Sequence, residues 1–284
     1  MSTRFAPSPT GLLHAGHAYA ALFARDLARK LNIDFFLRFE DIDNTRVREH
    51  YYLAIEEDLA WLGIHWDGTP LRQTDRLPAY AEALALLKSK KAVYPCFCTR
   101  REILDEISRM GGAPHPENGE GEFLYPGTCR SLSAEQRRDR IKAGEPHCWR
   151  LDSAIAAELT GPLSFDDELH GTITVNPNLL GDVILARKDI PTSYHIAVVI
   201  DDAMQKITHV TRGEDLLSST HIHCTLQKLL GLPQPHYHHH KLIKDAANQR
   251  LAKRNDSLSI KSLREQGISA DEVLAMFTLS LIHI

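Results

Sequence analysis

Two histidines, His14 and His17, close the run "RFAPSPTGLLHAGH" with Gly16 between them. The Pro/Gly turn before them and the alanine-rich stretch after them predict a strand, a turn and a helix start. Amides at a helix start lack intrahelical partners and the helix dipole is positive there, so an anion, most often phosphate, is stabilised at such a point. Gly16 lets a flat ring approach the backbone without a Cβ in the way. His14 and His17 lie three apart and share one helix face. They can donate hydrogen bonds to phosphate oxygens as charge builds up on them. The same pair could ligate a metal, but no third ligand follows on that helix.

A second group with chemistry is the cysteines. Cys96 and Cys98 are two apart, and Cys129 follows. Thiolates at that density suggest zinc, which needs a fourth ligand. Tyr125, His115, His147 and Cys148 are the candidates, and bare chemistry favours histidine or cysteine over tyrosine. Cys148, in a strand-like run, and Cys224, on an apolar helix face, read as buried thiols. The chain has five cysteines, an odd number that favours thiols or a metal over a disulfide framework. The sixteen histidines are many, and His236, His238, His239 and His240 cluster late.

The elements that must position these groups follow from periodicity. "TRFAPS" reads as a strand entering a turn, Ala15 to Leu31 as a helix, and "DFFLRFED" as a buried strand. "REHYYLAIEEDLAWLG" and residues 77–91 read as two more helices. Strand and helix alternating at this spacing predict an α/β fold with a Rossmann-like parallel sheet. At Pro95 the character changes to a loop-rich, charged, cysteine-bearing stretch. "DVILAR" and "YHIAVVIDDA" then read as strand-like, with Asp201 and Asp202 at a strand-end turn from which they could orient a pocket. "SSTHIHCTLQKLLG" reads as a helix ending at Gly231. The histidine run reads as native sequence lying before a strand. The tail from Lys241 to Arg264 is basic.

With 284 residues there is room for one large domain carrying an inserted module. The expected division is a catalytic domain over 1–95 and 187–284, with a zinc-containing, acceptor-binding insertion over 96–186. The net charge of −4 requires any nucleic-acid surface to be local. No run approaches the ~20 apolar residues of a membrane span, and no signal pattern opens the chain. The expectation is a cytoplasmic monomer with no membrane partner.

"RFAPSPTGLLHAGH" resembles the signature of the class I aminoacyl-tRNA synthetases, in the glutamyl/glutaminyl branch. "FLRFEDID", "PTSYHIAVVIDDAMQKITHVTRGEDLLSSTHIH" and "QRLAKRN" continue the resemblance in the family order. Within that branch the chain resembles the glutamyl-queuosine tRNA(Asp) synthetases. It ends soon after "LAKRN", where a glutamyl-tRNA synthetase would continue into an anticodon-binding region, and "YPCFCTRREI" with "YPGTC" resembles their zinc module.

The resemblance implies ATP, with Mg²⁺, as co-substrate held by His14, Gly16, His17 and Lys253. Of these, His14, His17 and Lys253 are catalytic. It implies L-glutamate bound by Arg4, Ser8, Glu40, Tyr194 and Arg212. The chemistry agrees: arginine pairs bidentately with carboxylate, and Glu40 can take the ammonium. It also implies a structural zinc on Cys96, Cys98, Tyr125 and Cys129, and queuosine-bearing tRNA(Asp) as acceptor. The second ATP loop departs from the family, with Arg250 and Ala252 where Lys and Ser are usual. The alternatives are a short glutamyl-tRNA synthetase charging the tRNA 3′ end and a non-catalytic tRNA-binding module.

Overall fold

In the computed structural model, residues 1–109, 124–242 and 259–281 are described. The chain opens with β1 (Ser2–Phe5), α1 (Ala15–Leu31), β2 (Asp34–Phe39), α2 (Glu49–Trp61), β3 (Leu71–Arg72) and α3 (Leu77–Ser89). The strands pair in parallel in the order β1-β2-β3, with Arg4 beside Phe36. Parallel pairing places all strand C-termini at one edge, where the turn carrying His14 also lies. α1 ends on Asn32 in the left-handed conformation, φ 53°, which a short polar side chain tolerates. Phe5, Leu22, Phe35, Phe39, Ile55 and Ile260 form the core behind this sheet.

Next come β4 (Val93–Cys96), α4 (Arg100–Arg109), α5 (Ala134–Lys142), β5 (Cys148–Leu151) and α6 (Ser153–Thr160). β6 (Ser164–Asp167), β7 (Gly171–Thr174) and β8 (Ile184–Ala186) follow. β4, β5 and β8 make a separate antiparallel sheet with Cys96 directly opposite Cys148. The β6–β7 hairpin pairs elsewhere, onto a strand near the end of the chain.

The last described elements are α7 (Tyr194–Met204), β9 (His209–Gly213), α8 (Leu217–Leu230), β10 (His236–His240), α9 (Ile260–Glu265) and α10 (Ala270–Leu281). β10 lies between β9 and β6, parallel to both. β9 runs beside β1, and the Thr208 amide donates to the Ser2 carbonyl at 2.9 Å.

Two local expectations are corrected. "YHIAVVIDDA" is the helix α7, not a strand, and Asp201 and Asp202 sit in its last turn rather than at a strand end. Its apolar run is buried nearly all round, so the β-branched residues reflect burial rather than period two. The histidine run does not precede a strand; it is β10 itself, with Tyr237 to His240 buried. α8 ends at Gly231, φ 67°, as its sequence predicts. Among the described residues, no helix is long and apolar enough to cross a membrane.

Candidate active site

The histidine turn is shaped by the helix it opens. His14 caps α1 with extended backbone, and His17 lies in the first turn. The Gly16 amide donates to His14 Nδ1 at 3.1 Å, and the His14 amide donates to His17 Nδ1 at 3.3 Å. The two rings stack with centroids 3.7 Å apart. Each Nδ1 accepts, so each ring is neutral and carries its proton on Nε2. One helix-start amide expected to be open, that of Gly16, is taken by His14 itself.

Lys253 lies outside the described residues, with Lys244, Arg250, Leu251, Ala252 and Arg254. Both flanks of that segment are described. The Leu242 amide donates to Glu214 at 3.5 Å, and Lys241 is exposed. Ser259 forms a β-bridge with His14, and the Ile260 amide donates to the Leu13 carbonyl at 2.8 Å. The chain therefore returns beside the histidine turn.

The two arginines of the expected glutamate pocket are held in different ways. Arg4, buried at the end of β1, donates from Nε and Nη2 to the Asp202 carboxylate at 2.9 and 3.3 Å, and from Nη1 to the Thr211 carbonyl at 3.2 Å. Arg38, fully buried on β2, donates to the same Asp202 oxygen at 2.6 Å and lies 3.5 Å from Glu40. These two cations hold the Asp202 carboxyl below its usual range despite its burial. Glu40 follows β2, with its amide donating to the Pro7 carbonyl at 3.0 Å. Burial pushes its pKa up, and Arg38 and Arg4 pull it back.

Arg212, on β9, is buried with no contacting carboxylate among the described residues. Its Nη1 donates to the Tyr194 hydroxyl at 3.3 Å and to His223 Nδ1 at 3.0 Å, its Nε to His239 at 3.2 Å, and its Nη2 to Thr220. Burial raises the Tyr194 pKa, while Arg212, Glu40 and Arg4 all act on the same phenol. Four of the five expected glutamate residues thus converge. Ser8 is the fifth; it is exposed in the adjoining turn, its carbonyl accepting from the Thr10 amide at 2.8 Å. Gly213 follows Arg212, and a Cβ there would strike the Asp215 carboxylate and lie 2.8 Å from Leu242 Cδ2.

The residues that sequence reasoning missed are Arg38, Thr220, His223 and His239. Asp202 was read as a strand-end residue orienting the pocket, but its two arginine partners, more than 160 positions away, could not be named from the chain. The alternating histidines of "THIHC" were a signal, since a polar residue repeated on an otherwise apolar helix needs a partner.

The cysteine group is compact. The Sγ atoms of Cys96, Cys98 and Cys129 all lie within 4.8 Å of one another, with Cys98 and Cys129 3.4 Å apart. The Tyr125 hydroxyl is 3.4 Å from Cys96 Sγ and 3.5 Å from Cys98 Sγ. Ligands 2.3 Å from a tetrahedral zinc are about 3.8 Å apart, so the donor set fits that ion. His147 points elsewhere, to Phe97, Trp149 and the Glu145 carbonyl. His115 lies outside the described residues. Cys148 is buried opposite Cys96, and the Cys96 thiol pulls its pKa down to about 7. A cavity of about 900 Å³ runs from Cys98 and Tyr125 past Arg150 and Arg187 to His195 and Ser219.

Residues 1–283 match the family described as tRNA synthetases class I (E and Q), catalytic domain. The chain belongs to this family. It is 47% identical over 279 residues to a Glutamyl-Q tRNA(Asp) synthetase of Rhodobacter capsulatus, covering 96% of this chain and 98% of that one. A Glutamate--tRNA ligase of Aquifex aeolicus is 37% identical, covering 94% of this chain but 54% of its own. Among solved structures, the glutamate-tRNA synthetase of Elizabethkingia anophelis superposes with a TM-score of 0.75 at 31% identity. That match covers 89% of this chain and 52% of the solved one, so the chain spans about half of that synthetase. Membership makes the protein a class I synthetase-type ligase and accounts for the parallel-sheet fold.

Proposed function

We propose that this protein activates L-glutamate with ATP and transfers the glutamyl group to queuosine in the anticodon of tRNA(Asp). One observation carries the glutamate reading: Arg4, Glu40, Tyr194 and Arg212 meet at the C-terminal edge of the parallel strands, beside the stacked histidines. The acceptor rests on the Rhodobacter relative, which carries Glutamyl-Q tRNA(Asp) synthetase as its name and is matched over nearly its whole length.

In the first step a glutamate α-carboxylate oxygen attacks the α-phosphorus of ATP and pyrophosphate leaves. His14 and His17 donate from Nε2 to the phosphates, and Lys253 adds a cation as charge shifts to the leaving group. Arg212 and Arg4 fix the carboxylates and Glu40 the ammonium, so positioning supplies much of the acceleration. In the second step a ring hydroxyl of queuosine attacks the glutamyl carbonyl and AMP leaves. The cavity of about 900 Å³ beside His195 gives the acceptor base room to approach. Cys96, Cys98, Cys129 and Tyr125 would hold zinc, which would tie the 96–186 insertion together. The two-domain division and a cytoplasmic location, in keeping with five unpaired thiols, complete the reading.

The test is transfer of labelled glutamate to an anticodon stem-loop of tRNA(Asp) bearing queuosine, set beside unmodified tRNA(Glu). Labelling of the stem-loop is expected. Labelling only of tRNA(Glu), at its 3′ end, would replace this reading with that of a short glutamyl-tRNA synthetase.

A further inference from the structure

Arginine carries five N–H donors and no acceptor. Whatever touches Arg212 must therefore present a lone pair. His223 does so with Nδ1 at 3.0 Å and His239 with Nε2 at 3.2 Å. Each ring is then committed to one tautomer. His223 carries its proton on Nε2, and that nitrogen faces His195 Nδ1 at 3.2 Å. His239 carries its proton on Nδ1 and donates it to Asp167 at 2.6 Å; the His239 backbone amide holds the same carboxylate oxygen at 3.0 Å. Two histidines on one guanidinium thus adopt opposite tautomers, each fixed by a partner behind it. His223 and His239 are both almost wholly buried.

Arg4 is quenched by direct contact with a carboxylate. Arg212 is not, because Asp167 lies one imidazole away and the remaining partners are neutral hydroxyls. A buried cation surrounded by neutral acceptors keeps its geometry and its attraction for an incoming anion. We propose that His223 and His239 are positioning residues for the substrate carboxylate: as neutral, tautomer-locked acceptors they aim Arg212 and leave its charge for the ligand. This rests on the reading that Arg212 binds a carboxylate of glutamate. Burial and Arg212 together hold both rings neutral, consistent with the geometry. The charged and titratable groups acting on them are Arg212 and Arg4 from the strands, Asp167 from β6, and the imidazoles of His170 and His195. His195, at the end of the relay, is among the residues lining the cavity.

The test uses three substitutions at one position and one spectrum. Asparagine at 223 keeps an acceptor where Nδ1 stood, aspartate puts a counter-ion there, and alanine removes both. Glutamate-dependent pyrophosphate exchange on the full chain should give a raised glutamate KM for His223→Ala and substantial recovery in His223→Asn. His223→Asp should raise it on the order of a hundredfold, with the ATP KM unmoved and thermal stability no lower than that of His223→Ala. Nitrogen-15 spectra of the histidine rings should show His239 protonated on Nδ1 and His223 on Nε2. A His223→Asp protein that binds glutamate like wild type, or a His239 ring protonated on Nε2, would overturn the proposal. An unchanged glutamate KM in Arg212→Gln would instead sink the carboxylate reading itself, whatever the tautomers.

Discussion

Asp202→Asn is the sharpest probe of how the pocket is held. Asp202 Oδ1 receives Arg4 at 2.9 Å and Arg38 at 2.6 Å, and Oδ2 receives Arg4 again at 3.3 Å. Asparagine can keep its oxygen at the first position, but its NH₂ then confronts the Arg4 Nη2 as donor against donor. The larger loss is charge, because two guanidiniums buried to 4% and 0% exposure lose their shared anion. Removing one partner of a buried ion pair costs about 3–5 kcal/mol. At about 2 °C per kcal/mol for a chain of this size, that is a fall in Tm of roughly 6–10 °C. Arg4 should also drift, so the glutamate KM should rise about tenfold, roughly 1.4 kcal/mol, while the ATP KM stays put. Asp201→Asn is the control one residue away. That carboxylate faces α3, taking bonds from Tyr80 at 2.6 Å, Gln73 at 3.0 Å and the half-exposed Arg76 at 3.3 Å. Two of its three donors are neutral and the third is partly exposed, so losing its charge should cost less than at Asp202 and leave glutamate binding intact. Scanning calorimetry and glutamate-dependent pyrophosphate exchange report the two effects. If Asp202→Asn melts within 2 °C of wild type, or if Asp201→Asn raises the glutamate KM equally, the assignment of Asp202 to Arg4 is wrong.

Lys253→Ala should lower the exchange rate by about two to three decades with a much smaller change in glutamate KM, as for a contact strengthened in the transition state; an unchanged rate refutes it. Tyr125→Phe should weaken zinc retention in metal analysis while leaving the three thiols able to bind, and full retention at unchanged affinity would move the fourth position to another donor. Acid should destabilise the fold through its neutral histidines. The His239 pKa is pushed down to about 4 by burial, with Arg212 acting the same way, against about 6.5 unfolded. The unfolded chain therefore binds more protons between these values, and stability falls as pH drops from about 6.5 toward 4. At pH 5 this imidazole should cost roughly 2 kcal/mol, and His239→Gln should flatten that part of the denaturation profile.

The turn chemistry at His14 to His17, the alternation of strands and helices in the first hundred residues and the Gly231 stop were all legible in the chain. Local period, capping and turn residues specify such features without distant partners. The thiol group was legible as well, since Cys96 and Cys98 are neighbours and a metal requires convergence. What sequence could not decide was what surrounds each charge. "YHIAVVIDDA" has the β-branched composition of a strand, and only packing against α3, α8 and the sheet makes it a helix. That choice turns Asp201 and Asp202 about 100° apart on one helix, sending one to Tyr80 and the other to Arg4 and Arg38. The late histidines read as a stretch lying before a strand, whereas parallel pairing of β10 with β9 puts His239 beside Arg212. Arg4 and Arg212 could be named from the chain as candidate carboxylate binders. That one is quenched by an acid and the other kept open by imidazoles follows from contacts between residues up to 198 positions apart, which only the tertiary fold brings together.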